Sequence, residues 1–158
     1  MAQIKALFLD RDDTIIYNVP YMNEVSKIRY LPGVFKAVKT IQNNGYSVFI
    51  VTNQSGLSRG LIKYSELEAI HLKIRKDFLE HGIRIKKFYI SPYIHKHPRR
   101  KPGPNLLKEA SRDFRVDLKS SIMIGDGLRD VKAGFNAGLS KCFRIVDKNR
   151  FWEDTKII

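Results

Sequence analysis

The sequence predicts a three-layer α/β domain, with helices packed on both faces of a central parallel sheet. Short apolar segments alternate with helical segments along most of the chain, as they do in repeated βαβ units. Several apolar segments end directly in polar residues, which is typical of strands that end at a ligand site. The length of 158 residues suits a single domain, assigned here to residues 1–158. Hydrophobic residues make up 43% and charged residues 28%, which excludes a disordered chain.

The first three elements follow from apolar patterning and from glycine positions. An apolar run from Ile4 to Leu9 predicts a buried strand that ends at Asp10. A helix is predicted after Leu31-Pro32-Gly33, because apolar residues then recur at helical spacing, and Gly45 is placed to end it. The β-branched segment from Ser47 to Val51 predicts the second strand.

The longest helix is predicted from Ser65 to His81, with Ser65 and Glu68 as a capping box and Gly82 at its end. The segment from Asp147 to Ile158 has no clear pattern, although Trp152 is expected to pack this tail against the domain. The other predicted elements are a third strand from Lys87 to Ile90, a helix from Asn105 to about Phe114, a fourth strand from Ser121 to Ile124, a helix from Asp130 to Ala137 and a fifth strand from Lys141 to Ile145.

Several classes of protein are excluded by simple counts. No apolar run approaches the roughly 18 residues of a membrane span, and the N-terminus meets charged residues too early for a secretory signal. The single cysteine, Cys142, can form neither an internal disulfide nor a thiolate zinc site, and it is expected to be a small buried hydrophobe. We therefore expect a cytoplasmic protein without a membrane partner, and a monomer.

The net charge of +13, from 29 basic and 16 acidic residues, is unusual. Such a potential attracts anions, including phosphorylated metabolites and nucleic acid. The basic residues are spread along the chain, and the densest run, from His95 to Lys101, is short. The charge could equally be that of an ordinary solvated surface, so both interpretations remain open.

Carboxylates follow two of the predicted strands. Asp10 and Asp12 come directly after the first strand, while Asp126 follows the fourth strand between two glycines, with Asp130 four residues later. Taken singly, these residues could be turn aspartates. Together, at the carboxyl ends of parallel strands, they suit a hard cation such as Mg²⁺.

Two further segments carry groups that bind phosphate. The loop of Thr52, Asn53, Gln54 and Ser55 offers a hydroxyl, side-chain amides and backbone N–H groups at the end of the second strand. Arg100 and Lys101 precede a stiff Pro-Gly-Pro turn. Alone, the first is only a polar loop and the second a solvated charge pair. With the carboxylates, they form the equipment of phosphoryl transfer.

These four segments, in this order, resemble the four motifs of the haloacid dehalogenase (HAD) phosphatase superfamily, subfamily IIIA. The likeness covers residues 4 to about 145 and implies a Rossmann-like fold with a minimal cap. Within the superfamily, the chain resembles the group that holds histidinol-phosphate phosphatases and D-glycero-D-manno-heptose 1,7-bisphosphate phosphatases. The segments that carry this closer likeness are Leu9 to Asp12, Val51 to Gly60 and Arg100 to Pro102.

The resemblance implies a role for each motif residue. Asp10 would attack phosphorus and form an aspartyl phosphate, and Asp12 would act as general acid and then as general base. Mg²⁺ would be held by Asp10, the backbone carbonyl of Asp12 and Asp126. Asp130 would orient Lys101 or a metal-bound water. Lys101 would be the third catalytic residue, because it would neutralise the transferring phosphoryl group. The residues expected to bind phosphate or substrate are Thr52, Asn53, Gln54, Ser55, Arg100, Asn18 and Tyr21.

The chain departs from this group at three places. The group carries a zinc-binding Cys-x-His and Cys-x-Cys in the loop before Arg100, but here the segment from Ser91 to Arg99 has no cysteine, so zinc is not expected. Asp13 replaces a glycine and Gly127 replaces a common lysine, which changes the charge beside the metal. We expect Asp13 to tolerate the left-handed conformation that a glycine would adopt.

The expected activity is therefore a Mg²⁺-dependent phosphomonoesterase of carbohydrate metabolism, acting on heptose 1,7-bisphosphate in lipopolysaccharide precursor synthesis. Histidinol phosphate is an alternative substrate, because both enzyme types share these motifs. A nucleic-acid 3′-end phosphatase is a second alternative, favoured by the charge but opposed by the few aromatic residues near the motifs, Tyr17, Tyr21 and Tyr93. Weak, salt-sensitive binding of nucleic acid is expected in either case.

Overall fold

The computed structural model describes residues 2–154 and residue 156, and all its strands lie in one parallel sheet of five. The order across the sheet is β3-β2-β1-β4-β5. The strands are β1 Lys5–Leu9, β2 Tyr46–Asn53, β3 Ile85–Ser91, β4 Ile122–Gly125 and β5 Lys141–Arg144. The helices are α1 Val34–Asn43, α2 Tyr64–Glu80, α3 Asn105–Phe114, α4 Leu128–Ala137 and α5 Phe151–Asp154. The predicted α/β fold class and order of elements are confirmed.

The strand order reverses between β1 and β4. The chain moves from β1 through β2 to β3 on one side, and then crosses over to β4 on the other side of β1. Leu9 at the end of β1 is in register with Ile124 of β4, and the backbone N–H of Asp10 donates to the carbonyl of Ile124 at 3.0 Å. Such a switch point opens a crevice beyond the strand ends, so it predicts the position of the site.

Alternating residues of the strands build two separate cores. Leu7, Leu9 and their counterparts in β2 and β4 face α1, α2 and Trp152 of α5. Phe8 and its counterparts face α3 and the end of α4. The period of two in a strand therefore produces the three layers. The connection after β1 carries only a short 3₁₀ helix, Val25–Lys27, which agrees with the predicted minimal cap.

Helix α2 begins earlier than its predicted capping box. Its N-cap is Lys63, and the Glu66 carboxylate accepts a hydrogen bond of 2.8 Å from the Lys63 backbone N–H. The predicted box of Ser65 and Glu68 is therefore wrong. Glu66, three residues after Lys63, satisfies a backbone N–H that the helix itself leaves free, and this shifts the helix start to Tyr64.

The C-terminal segment contains one more helix than expected. Trp152 of α5 is 3% exposed, and its indole N–H donates to the backbone carbonyl of Thr14 at 2.7 Å. The expectation that Trp152 packs the tail against the domain is confirmed. Residues Thr155, Ile157 and Ile158 of the unpatterned tail lie outside the described residues. In the part of the chain that the structure covers, no helix combines the length and apolarity needed to cross a membrane.

Candidate active site

A buried lysine joins three segments at the switch point. Lys101 Nζ lies 2.8 Å from Asp10 Oδ1 and 2.7 Å from Asp130 Oδ1, and it donates to the Val51 carbonyl at 2.7 Å. The whole lysine is 2% exposed. Burial by itself lowers the pKa of Lys101, but the charges of Asp10 and Asp130 outweigh it and raise this pKa above its ordinary value. Lys101 therefore stays charged and pairs with both carboxylates.

Two glycines allow the segments to approach so closely. A Cβ at Gly125 would lie 2.3 Å from the Asp130 side chain, so only glycine leaves room for that carboxylate. A Cβ at Gly103 would lie 2.4 Å from the Pro98 carbonyl oxygen, in the turn that presents Lys101. Both positions need glycine because of close contact rather than backbone flexibility.

Asp126 stands beside this ion-pair network without a cation of its own. Its Oδ1 atom is buried and has no hydrogen-bond partner among the described residues. Burial first, and then the charge of Asp10, raise the pKa of Asp126 to about 7. Asp10, Asp126 and Asp130 each offer an oxygen atom, and these oxygens lie within 4.8 Å of one another. Hard oxygen ligands and a buried carboxylate oxygen without a hydrogen-bond partner fit a divalent cation of the Mg²⁺ type.

Asp12 is held from two sides, in a partly exposed position. Arg11 donates to it through Nε at 3.0 Å and through Nη2 at 2.9 and 3.1 Å. Gln54 Nε2 donates to Asp12 Oδ2 at 3.1 Å and to Thr52 Oγ1 at 2.8 Å. Arg11 is 1% exposed, whereas the Asp12 side chain is 25% exposed. Asp12 is thus fixed in orientation but reachable from solvent.

The end of β2, which includes the predicted loop residues Thr52 and Asn53, and the loop that follows it are tied to both neighbouring segments. The Asn53 side chain donates to the Lys101 carbonyl at 3.2 Å and accepts from the Lys101 N–H at 3.1 Å. Ser55 Oγ accepts from Arg59 Nε at 3.3 Å. The side chains of Asn53 and Gln54 therefore position Lys101 and Asp12. Their predicted role in binding phosphate stays a prediction.

Arg100, next to Lys101, lies within the electrostatic influence of two other arginines. Arg100 is half-buried and donates to the Tyr93 carbonyl at 2.8 Å. Burial first, and then the positive charges of Arg129 and Arg59, lower the pKa of Arg100. The Arg129 charge also acts on Asp126. Like charges repel, so this group favours a bound anion.

The predicted substrate loop borders the phosphate loop. Tyr21 is 46% exposed, and a Cβ at Gly56 would lie 2.9 Å from its ring. The backbone N–H of Asn18 donates to Asp13 Oδ1 at 2.9 Å. Asp13 has φ 54°, so the expectation that it adopts the left-handed conformation is confirmed. Lys148 lies 3.0 Å from Asp13 Oδ1 and neutralises the extra charge expected beside the metal.

A cavity of about 480 Å³ opens next to Asp126. Its lining includes Asp13, Arg144 and Lys148, and Arg144 Nε donates to the Asp126 carbonyl at 3.1 Å. The site is therefore flanked by cations on this side as well.

The loop that lacks cysteines is ordered by its own contacts. The rings of Tyr93 and His97 stack at 3.5 Å, and His97 Nδ1 accepts from the Arg99 backbone N–H at 3.0 Å. Arg99 pairs with Glu109 of α3 at 2.7 Å. These contacts hold the turn before Lys101, at the place where the group that the chain resembles carries cysteines.

Sequence reasoning missed several residues around the site. His71, which no sequence motif includes, is 6% exposed and contacts Arg11. Its spacing from Leu67 and Ile74 places it on the apolar face of α2, and this spacing could have predicted its burial. No comparable sequence pattern predicts that Arg59, Arg129 and Lys148 lie near the site. Cys142 is only partly buried, and its burial raises the pKa of the thiol to about 11.

The family model for haloacid dehalogenase-like hydrolases matches residues 9–143. The chain belongs to this family. The predicted membership, fold class and hydrolase activity are thereby confirmed.

Similar proteins and solved structures carry the names of heptose 1,7-bisphosphate phosphatases. The chain is similar to D-glycero-alpha-D-manno-heptose-1,7-bisphosphate 7-phosphatase of Campylobacter jejuni, with 34% identity over 92% of this chain and 85% of the relative. It is also similar to D-glycero-beta-D-manno-heptose-1,7-bisphosphate 7-phosphatase of Mesorhizobium japonicum, with 35% identity over 87% and 68%. A crystal structure of D,D-heptose 1,7-bisphosphate phosphatase from B. bronchiseptica, complexed with magnesium and phosphate, superposes with a TM-score of 0.80. That structure is 30% identical, and the match covers 87% of this chain and 79% of that one.

Proposed function

We propose that this chain is a Mg²⁺-dependent phosphatase that removes the 7-phosphate of D-glycero-D-manno-heptose 1,7-bisphosphate. The observation that carries the proposal is the buried Asp10–Lys101–Asp130 network beside unpartnered Asp126, at the switch point of the sheet. The family membership and the names of the relatives supply the substrate class. Because relatives of both anomeric types are similar, the anomer is left open. One phosphatase domain accounts for residues 1–158.

Asp10 and Asp126 would hold the Mg²⁺ ion together with the backbone carbonyl of Asp12. When bound, the ion would neutralise charge on the phosphoryl oxygens. Lys101 supplies the second fixed positive charge at Asp10, and Asp130 keeps it in place through their contact of 2.7 Å. Arrangements of this kind stabilise a transferring phosphoryl group because the charges need no reorganisation.

The first chemical step uses Asp10 and Asp12. An oxygen of Asp10 forms a bond to phosphorus while the bond from phosphorus to the sugar oxygen breaks. Asp12, held by Arg11 and Gln54, gives its proton to the departing sugar oxygen. The products of this step are the free hydroxyl and an aspartyl phosphate on Asp10.

The second step regenerates the enzyme. Asp12, now ionised, accepts a proton from a water molecule, whose oxygen attacks the same phosphorus. The bond between phosphorus and Asp10 breaks, so inorganic phosphate leaves and Asp12 is again protonated. The partial exposure of Asp12 supports this role, because water can reach it.

The arginines at the mouth of the site support a substrate with a second anionic group. The positive charges of Arg129 and Arg59 both act on Arg100 and lower its pKa. A second phosphate would relieve this repulsion, and a guanidinium can bind it through paired hydrogen bonds. Histidinol phosphate carries an ammonium group in place of the second phosphate, so the same arginines disfavour it.

A substrate panel tests the proposal directly. Released phosphate is measured with Mg²⁺ for heptose 1,7-bisphosphate, histidinol phosphate and a 3′-phosphorylated oligonucleotide at near-physiological salt. We expect the bisphosphate to have a kcat/KM at least about 100-fold above the others, a difference of about 2.7 kcal/mol. Phosphorus NMR should show loss of the 7-phosphate and retention of the 1-phosphate. A higher kcat/KM for either competitor would overturn the assignment.

Nucleic-acid ends are a weaker candidate in spite of the charge. The ring of Tyr17 lies 4.7 Å from the Arg29 guanidinium and Tyr93 stacks on His97, so each of these two rings has a partner within the chain, and Tyr21 is the exposed aromatic side chain of the three. Base stacking on a single strand needs free aromatic faces. The charge of +13 still predicts weak DNA binding that fades steeply as salt rises. The cytoplasmic location and monomeric state remain predictions.

Zinc is not expected in the cysteine-free loop, because His95 and His97 cannot supply the four ligands of a structural zinc site. Elemental analysis should find no stoichiometric zinc, and chelation should leave the fold intact while stopping phosphate release. Mg²⁺ should then restore activity. One zinc per chain, with unfolding on its removal, would contradict this prediction.

A further inference from the structure

The Arg11 side chain forms hydrogen bonds with two residues, Asp12 and His71. Its Nε and Nη2 groups donate to the two oxygens of Asp12, while Nη1 lies 3.0 Å from His71 Nε2. Arg11 is 1% exposed, so water cannot replace a lost partner. The orientation in which Arg11 holds Asp12 therefore depends on the side chain that contacts Arg11 Nη1.

His71 can meet this requirement in only one form. A guanidinium has donors and no acceptor, so His71 Nε2 must accept and its proton must be on Nδ1. Burial first, and then the charges of Arg11 and Arg75, lower the pKa of His71 to about 3, so the ring stays neutral. The ring also stacks on Phe88 of β3 at 4.4 Å, which fixes its plane.

We propose that His71 is a positioning residue for the reaction, because it holds Arg11 in the orientation that aims the Asp12 carboxyl at the leaving oxygen. The inference rests on the proposed role of Asp12 as general acid. The chain of contacts runs from Phe88 of β3 through His71 of α2 and Arg11 to Asp12. It couples the edge of the sheet to the reacting group.

The packing explains why this position suits a neutral acceptor. Arg75, one turn along α2, places its guanidinium 5.3 Å from the centre of the Phe88 ring. Another donor or cation at position 71 would oppose both arginines. An apolar residue would leave Arg11 Nη1 buried without a partner, and a misplacement of about 1 Å can cost about 100-fold in rate.

The proposal predicts an effect that depends on the leaving group. A sugar alkoxide departs poorly and needs the proton from Asp12, whereas p-nitrophenolate departs with little help. The value of kcat/KM reports only the steps through the first phosphoryl transfer, so the later use of Asp12 as a base does not enter. A defect in aiming Asp12 should therefore appear with alkyl phosphates and be small with p-nitrophenyl phosphate.

The experiment compares His71→Leu and His71→Gln with the wild-type enzyme. The two substrates are p-nitrophenyl phosphate and the alkyl phosphate with the highest kcat/KM in the wild-type panel. We expect His71→Leu to lose about tenfold or more in kcat/KM for the alkyl phosphate, but less than about threefold for p-nitrophenyl phosphate. His71→Gln should recover most of the loss, because its amide oxygen can accept from Arg11.

The matched control is His81→Leu, which removes a stacked histidine at the C-cap of α2. His81 stacks on Phe35 at 3.8 Å and has no contact with Arg11 among the described residues. Circular dichroism and thermal unfolding verify that each variant is folded. Equal losses with both substrates, or no loss with either, would overturn the proposal. The wild-type panel alone decides the substrate, so a failure there is distinguishable from a failure of His71.

Discussion

The inner site and the rim of this enzyme differ in the burial of their residues and in the pairing of their charges. The inner site comprises Asp10, Asp12, Lys101, Asp126 and Asp130, and three of these residues are less than 5% exposed. The rim comprises Asn18, Tyr21, Arg59, Arg100 and Arg129, and none of them is buried. In the inner site, nearly every charge has a partner within the chain. At the rim, the positive charge of Arg100 lies under the influence of two other positive charges.

This difference suits the inner site to the chemical reaction and the rim to substrate recognition. Buried, paired charges keep their positions during the reaction, so they can stabilise a transferring phosphoryl group. Exposed charges of one sign are stabilised by the anion that they bind, so they suit substrate recognition. Inner-site changes should therefore affect kcat or stability, whereas rim changes should affect KM.

The largest effect is expected for Asp10→Asn, which removes the nucleophile. We expect phosphate release to fall by about 10⁴-fold or more, because the amide cannot form the aspartyl phosphate. The fold should persist, since the amide oxygen can still accept from Lys101 and Asp130 still pairs with it. Phosphate release close to the wild-type rate would contradict the proposed mechanism.

Lys101→Met tests the stabilising side of the inner site. The change leaves Asp10 and Asp130 buried without a counter-charge, and breaking a buried pair costs about 3–5 kcal/mol in the free energy of unfolding. Lys148→Met is the matched control, because its pair with Asp13 is 43% and 22% exposed and should cost less than about 1 kcal/mol. Urea unfolding measures both values, and equal losses would remove the distinction.

Mg²⁺ should stabilise the protein more at pH 8 than at pH 5. The pKa of Asp126 is raised to about 7, so the folded apoprotein keeps a proton that the unfolded chain has released. The stability that this proton contributes is present at low pH and is lost as pH rises through about 7. Mg²⁺ binds the ionised form and should add about 2.7 kcal/mol at 100 times its Kd.

Thermal unfolding with Mg²⁺ or with chelator at the two pH values measures this difference. Asp126→Asn should abolish it. A Mg²⁺ effect of the same size at both pH values would contradict the role of Asp126.

The smallest effect is expected at the rim. Arg100→Gln should raise KM for the bisphosphate about tenfold, or about 1.4 kcal/mol, with kcat nearly unchanged. Its KM for p-nitrophenyl phosphate, which lacks a second phosphate, should change little. Arg112→Gln on the exposed side of α3 removes the same charge as a control. A fall in kcat rather than a rise in KM would place Arg100 functionally within the inner site.

Much of the fold and of the inner site could be predicted from the sequence. Apolar runs that end in Asp10 and Asp126 place both carboxylates at the carboxyl ends of strands. In a parallel sheet those ends share one edge, so their proximity follows from the pattern. The first and last residues of helices are harder to predict, as the start of α2 shows. There, Lys63 and Glu66 compete with Ser65 and Glu68 for the same capping geometry.

The layers of the sheet, the motif residues and the chemistry that they share follow from the amino-acid sequence, because they depend on local periodicity and on residue type. The partners of these residues follow from the folded chain: Lys101 pairs with Asp10, 91 residues away, and Arg11 with His71, 60 residues away. Such pairings depend on how separate helices and strands pack, and no local pattern records this. The residue type gives the charge of a side chain, whereas the fold determines its burial and its counter-charge.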